Sequence, residues 1–229
     1  MITIVFFESA LELIPESLRK HPSIRKKWKQ NLKKKNRGIL LDGAIHRPLV
    51  DSLEDKEKRG RPDIVHHSLL NVVYSPLFTQ GKVQIFIHTR KDLCIKIPSQ
   101  WRVPVNYNRF CGLFSQLLTK YKVPLLGEPI LTATHCTLSK LLQQFDESEI
   151  YICDIPSKRI KESIIMKNLA DISPVSSGVF LIGGFQHGEA NFRFFEPPTS
   201  VQDMILLTIY DEVKPAWVIV AKIIHWLEA

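Results

Sequence analysis

Two arginines and a carboxylate stand within five residues at Arg59-Gly60-Arg61-Pro62-Asp63, where alternating charge gives way to an apolar pattern. Val65, Leu69, Val72 and Val73 fall at i, i+4, i+7 and i+8, so the spacing predicts a helix with one buried face. Asp63 sits where an N-cap belongs, its carboxylate able to accept backbone N–H bonds. Guanidinium groups beside a helix start suit an anion, phosphate above all, because the first N–H groups of a helix carry the positive end of its dipole. A solvated charged loop, a capping Asp and a buried helix would account for the same residues without a ligand.

Three further stretches carry residues that could do chemistry. The strand-like run at 178–184 ends on Gly183 and Gly184, and Gly188 follows, giving LIGGFQHG. Glycines there allow tight turns and close approach of a ligand to main chain, although the pattern is neither GxGxxG nor Walker A and a plain turn fits equally. Residues 98–109 mix Arg102, Tyr107 and Arg109 with two prolines, a composition suited to looped RNA whose bases can stack, or to a loop leading into a helix. Between 19 and 37 the chain holds ten basic residues and no acid, with Trp28 and Leu32 at helical spacing. Such a run either faces solvent or releases counterions from bound phosphates. Cys94, Cys111, Cys136 and Cys153 are widely spaced and form no CxxC pair, so neither zinc nor a disulfide framework is indicated.

The elements that must position these groups alternate. Apolar runs at 2–7, 149–155, 178–184 and 204–210 have the character of strands buried on both faces. Residues 39–42 suggest a short strand, followed by a turn and a short helix from His46 to Leu53. VQIFIHT (83–89) and LCIKI (93–97) suggest a hairpin, the second strand half-exposed, and Pro124 with Gly127-Glu128-Pro129 suggests a boundary between two halves. Phe110, Leu113, Phe114, Leu117, Leu118 and Tyr121 predict a helix, as do Leu138, Leu141, Leu142 and Phe145. Residues 157–170 suggest a weak basic helix or loop. Pro215 opens a last helix with Trp217, Val220, Ala221, Ile224 and Leu227 on one face. The pattern implies an α/β fold with a mainly parallel sheet, in which ligands bind beyond the carboxyl ends of strands.

The chain has 229 residues, 45% hydrophobic and 24% charged, an ordinary globular balance with ample core. Its net charge of +8 favours an acidic partner, nucleic acid before an anionic membrane. No apolar run approaches the roughly 20 residues of a membrane span. The start, with Glu8 and Glu12 and no basic opening, is not that of a signal peptide, and a cytosolic protein with reduced thiols is expected.

RGRPDIVH (59–66), SPL (75–77), IHT (87–89), NRFCGLFSQLL (108–118) and LIGGFQHG (181–188) occur in that order across nearly the whole chain. Together they resemble the pseudouridine N1-specific methyltransferases of small-subunit ribosome biogenesis, the archaeal and eukaryotic type within the SPOUT class. The resemblance implies one unit over 1–229, with a β excursion near 83–100 and a deep trefoil knot in about 125–229, an exception to the rule that chains do not thread. It implies a homodimer that binds S-adenosylmethionine, with small-subunit rRNA as substrate, ribosomal assembly proteins as further partners, no membrane association, and a cytoplasmic or, in a eukaryote, nucleolar location. Cofactor contacts carried over are Ile182, Gly183, Gly184, Gly188, Leu206, Leu207, Tyr210 and Thr132; RNA contacts are Arg59, Arg61, Arg90, Arg102, Tyr107 and Arg109. Val105 and Asn108 stand where many of the family are basic, which shifts the expected RNA contact toward 25–37, and LTATH (131–135) departs from the family's knot-entry pattern.

For the reaction the resemblance implies methylation at the ring N1 of a pseudouridine, which uridine uses for its glycosidic bond. Asp63 would take or hydrogen-bond the N1 proton. Arg61 would place the adjacent phosphate and oppose developing charge, with Tyr107 and Phe185 against a looped-out base and no metal required. Two other readings are an rRNA-binding assembly factor with a non-enzymatic role and a SPOUT enzyme acting on tRNA. The cofactor loop favours an enzyme, and RGRPD favours the rRNA family.

Overall fold

The computed structural model describes residues 1–18, 20–22, 24, 38–145, 149–153, 165–186 and 204–229. In chain order the strands are β1 (Ile2–Ser9), β2 (Val83–Thr89), β3 (Leu93–Ile97), β4 (Lys122–Val123), β5 (Leu131–His135), β6 (Ile150–Cys153), β7 (Ile165–Asn168), β8 (Gly178–Gly183) and β9 (Met204–Thr208). The α-helices are α1 (Gly43–Asp51), α2 (Pro62–Val73), α3 (Pro76–Thr79), α4 (Tyr107–Lys120), α5 (Leu138–Leu142) and α6 (Ala216–Glu228).

All eight residues of β1 are buried, as an apolar run with no polar alternation requires. It pairs in parallel with β2 on one side and β8 on the other. The sheet order is β4-β5-β3-β2-β1-β8-β6-β9-β7, and β2, β1, β8, β6, β9 and β7 run parallel. Their carboxyl ends therefore line one side of the sheet. β3, β5 and β4 extend the β2 edge as antiparallel strands, so the excursion near 83–100 continues through 135. The stretch at Pro124–Pro129 is the turn of the β4–β5 hairpin, not a boundary.

Alternate β1 side chains feed two cores. Ile4 and Phe6 join Val65 and Leu69 of α2, Phe110 and Phe114 of α4, and Val220 and Ile223 of α6. Val5 and Phe7 join Leu138, Leu141 and Leu142 of α5 on the opposite face. Each such side chain, fully withdrawn from water, contributes about 1.5–3 kcal/mol before chain entropy is counted. A third, smaller cluster holds Ile14, Leu41, Leu49 and Val50 under α1.

Local expectations change in four places. Residues 39–42 make only one bridge, Leu13 to Leu40, and Asp42 instead caps α1 by accepting from the Ala44 N–H at 2.9 Å. Ile165–Asn168 is a parallel edge strand, paired with β9, where a helix or loop was expected; 154–164 lie outside the described residues. β3 exposes only Lys96, because Leu93, Ile95 and Ile97 enter the core on one face and Cys94 the core on the other. On α6 Ala221 is exposed and Ile223 buried, so the inward face is turned relative to the expected one.

Candidate functional site

Proline at the first helical position has the φ a helix needs and lacks an N–H the helix cannot use, so α2 starts at Pro62. That makes Arg61 the N-cap residue and moves Asp63 into the first turn; Asp63 is not the cap. Its carboxylate is held instead by Arg61, whose Nε donates to Oδ1 at 2.8 Å and Nη2 to Oδ2 at 2.7 Å. This hydrogen bonding keeps the Arg61 guanidinium pKa above its ordinary value. Both side chains stay partly open to solvent, 28% and 29% exposed. Gly60 sets the loop: its φ is +67°, and a Cβ there would stand 2.7 Å from Val50 Cγ2 on α1.

The pair opens on a cleft of about 630 Å³, bordered also by Arg47, Lys56, Tyr107 and Gln186. That volume lies in the range of ordinary ligand sites. Tyr107 does not present a free ring there. It is the first residue of α4, and its hydroxyl donates to Asp42 Oδ2 at 2.7 Å. Burial and that bond push the phenol above its ordinary pKa. Asp42, 6% exposed, thus joins α1 to α4 at the cleft floor. Sequence reasoning missed it, because a carboxylate after an apolar triplet has no distinguishing spacing.

The other candidate arginines divide into two kinds. Arg59 donates from Nε and Nη2 to Glu12 at 2.7 and 2.6 Å, which raises its pKa and commits both ends of its fork. Arg90 Nη2 donates to Asp55 Oδ2 at 2.8 Å with only 13% of the side chain exposed. These two fasten the arginine loop to the ends of β1 and β2. Arg102 and Arg109 are exposed and make no ion pair among the described residues. The run at 25–37 lies outside them.

The strand ends carry the second half of the site. Ile182, Cys153 and Leu207 stand at one level across β8, β6 and β9. Ile182, Leu206 and Leu207 are at most 1% exposed, with side chains in the core, so a ligand could meet only their main chain. Gly183 and Tyr210 are half-buried, Gly183 at the end of β8 and Tyr210 beyond that of β9. Gly184 continues the ladder: its N–H donates to Phe7 O, and its carbonyl accepts from the Ala10 N–H, both at 2.8 Å. A Cβ on it would lie 2.3 Å from Ser9 Oγ and 2.8 Å from Ser9 Cα, so neighbouring strand fills the space a ligand was expected to need. Gly188 lies outside the described residues. Thr132 is exposed on β5, four strands from β8, roughly 19 Å away, and does not join the others.

The two halves are tied together. Lys58 Nζ donates to Glu8 Oε2 at 2.7 Å, beneath the carboxyl end of β1, and sits 4.4 Å from the ring centre of Phe185. Phe185 packs edge-on against Phe7, and the next residue, Gln186, borders the cleft. Arg61, with the Asp63 carboxylate at its side, therefore shares a cleft with the loop leaving β8. Among the described residues no group of three or more His, Cys, Asp or Glu is arranged to hold a metal.

Residues 4–228 match the family model described as EMG1/NEP1 methyltransferase. A ribosomal RNA small subunit methyltransferase Nep1 from Staphylothermus marinus is 36% identical over 224 residues, 97% of this chain and 93% of that protein. The protein of the same name from Pyrobaculum islandicum is 39% identical over 187 residues, 81% of this chain and 80% of its own. The crystal structure of Archaeoglobus fulgidus Nep1 bound to S-adenosylhomocysteine superposes with a TM-score of 0.77 at 26% identity, covering 99% of this chain and 97% of that one.

Proposed function

The chain belongs to the EMG1/NEP1 methyltransferase family, and on that premise we propose that it methylates N1 of a pseudouridine in small-subunit rRNA. It is an S-adenosylmethionine-dependent rRNA methyltransferase, as its Nep1 relatives and the S-adenosylhomocysteine-bound neighbour support. The observation that carries the finer reading is the shared cleft, which places Arg61 and Asp63 beside the loop that leaves β8.

When bound, S-adenosylmethionine supplies a methyl group already activated by sulfonium charge. The residues fit it as a main-chain cradle: Ile182, Gly183, Leu206, Leu207 and Tyr210 give side chains to the core or flank the strand ends, leaving backbone to meet the ligand. Gly184 supports the cradle by admitting Ser9. Arg61, whose Nε and Nη2 are given to Asp63, meets the phosphate next to the target nucleotide through its remaining Nη1 and opposes charge on the base. Asp63 takes or hydrogen-bonds the N1 proton. A carboxylate offers about four lone-pair directions, so acceptance from Arg61 leaves room for a further bond. Arg102 and Arg109 contact the RNA backbone from the exposed side of the same region.

The proposal includes a homodimer and a C-terminal trefoil knot. The knot is supported by the insertion of β8 between β1 and β6, and of β9 between β6 and β7. The dimer would cover Ile165 and Met166 of β7, 50% and 58% exposed. No helix among the described residues is long and apolar enough to cross a membrane. The test is mass spectrometry of a small-subunit rRNA hairpin incubated with protein and methyl donor. One methyl group gained with pseudouridine at the target and none with uridine is expected; equal transfer to uridine would remove the N1 assignment.

A further inference from the structure

Glycine inside a helix is unfavourable unless the backbone or the surroundings need it. Among the described residues, Gly38, Gly43, Gly60, Gly178, Gly183 and Gly184 each have an atom within 3.1 Å of where a Cβ would stand. Gly81 and Gly127 have open space but φ of +71° and +77°. Gly112 has neither reason. It lies in the middle of α4, its φ is not positive, no described residue stands within 4 Å of its would-be Cβ, and it is exposed among the described residues. The described part of the protomer does not account for this glycine.

Its surroundings point to an occupant. Arg109, Gly112, Gln116 and Lys120 recur at i, i+3, i+7 and i+11 and so share the outer face of α4, with Asn108 beside them. Arg109, Asn108 and Lys120 are exposed and Gln116 is half-exposed. Every side chain on this face can donate a hydrogen bond, and α4 contains no acid. The opposite face, with Phe110, Phe114, Leu117 and Leu118, is buried, so α4 is fixed in its rotation. At its start the helix meets the cleft through Tyr107; Thr119, near its end, binds the Gly38 N–H at 2.9 Å, where the chain emerges from the basic run.

We propose that the outer face of α4 is a track for the phosphate backbone of the rRNA, running about 16 Å from Arg109 to Lys120, with Gly112 as its point of closest approach. The proposal rests on the rRNA reading above and extends it from the cleft along a helix. Absence of a side chain at 112 lets the sugar-phosphate strand lie against the helix while the flanking amides and cations donate to its oxygens. A protein partner of this chain would need acidic groups to match the same face, and RNA supplies them at every nucleotide.

Hairpin binding by Gly112→Ala and Gly112→Leu, measured at several salt concentrations, tests this, alongside thermal unfolding and sedimentation. The Ala variant should melt about 2–4 °C higher, because the helix gains propensity at no steric cost. The Leu variant should fold and bind the methyl donor as wild type does, yet lose at least tenfold in RNA affinity. Lys120→Gln should flatten the slope of log affinity against log salt by about 0.7–0.9. Unchanged RNA affinity in Gly112→Leu overturns the track, as does conversion of a dimer to monomer by that variant, which would make the face a contact between copies. Wild-type protein that binds no small-subunit hairpin overturns the rRNA reading itself, whatever the variants do.

Discussion

Replacing Asp63 by Asn separates the chemical role of this carboxylate from its structural one. Asn keeps one oxygen acceptor for Arg61 but loses the charge and the second acceptor of a bidentate pair at 2.8 and 2.7 Å. Unit charges about 4 Å apart, roughly the distance between the centres of two delocalised groups paired in this way, interact by roughly 1–4 kcal/mol between aqueous and near-surface dielectric values. With both side chains nearly a third exposed, solvent screening brings the loss of stability down to about 1 kcal/mol. No capping bond is lost, because Asp63 makes none. Turnover should fall by about 100-fold or more, the lower range for removing a proton acceptor. Raising the pH should restore part of it as the base itself ionises. Single-turnover methylation of the pseudouridine hairpin, with RNA and donor binding measured separately, reads the two roles apart. An Asn variant that turns over like wild type would refute the reasoning. A loss confined to RNA affinity would limit Asp63 to holding Arg61.

Gly184→Ala should cost about 2–4 kcal/mol, since the new Cβ meets Ser9 main chain and threatens two ladder bonds; denaturant unfolding reads this, and a near-neutral effect would show that the β1–β8 ends can part freely. Lys58→Met removes the cation 2.7 Å from Glu8, whose side chain is fully buried, and should cost about 3–5 kcal/mol in the same assay. His66 and His88 are both held below the ordinary imidazole pKa, chiefly by burial. The unfolded chain therefore binds more protons than the folded one, and their contribution, complete above about pH 6.5, is lost as pH falls through the depressed values. Unfolding curves between pH 7.5 and 5 should show stability declining, and His66→Gln should shallow the decline; a flat profile would contradict the sign.

The apolar runs determined most of the fold before any tertiary contact was known. Ile2–Ser9 and Gly178–Gly183 lack polar alternation, so each had to be covered on both faces, and the parallel sheet follows. Phe110, Phe114, Leu117 and Leu118 could share a core only on a helix. Charged groups carry no such instruction. Arg59, Arg90 and Arg61 look alike in the sequence, yet Arg61 stays 28% exposed at the cleft while the side chains of Arg59 and Arg90 are 14% and 13% exposed. Asp63 is two residues from Arg61, but the other partners lie far along the chain: Glu12 is 47 residues from Arg59, Asp55 is 35 from Arg90, Glu8 is 50 from Lys58, and Asp42 is 65 from Tyr107. Hydrophobic burial depends on local periodicity, which a sequence displays. An ion pair depends on which strand ends and loops meet, and that was decided when β1 took its place between β2 and β8.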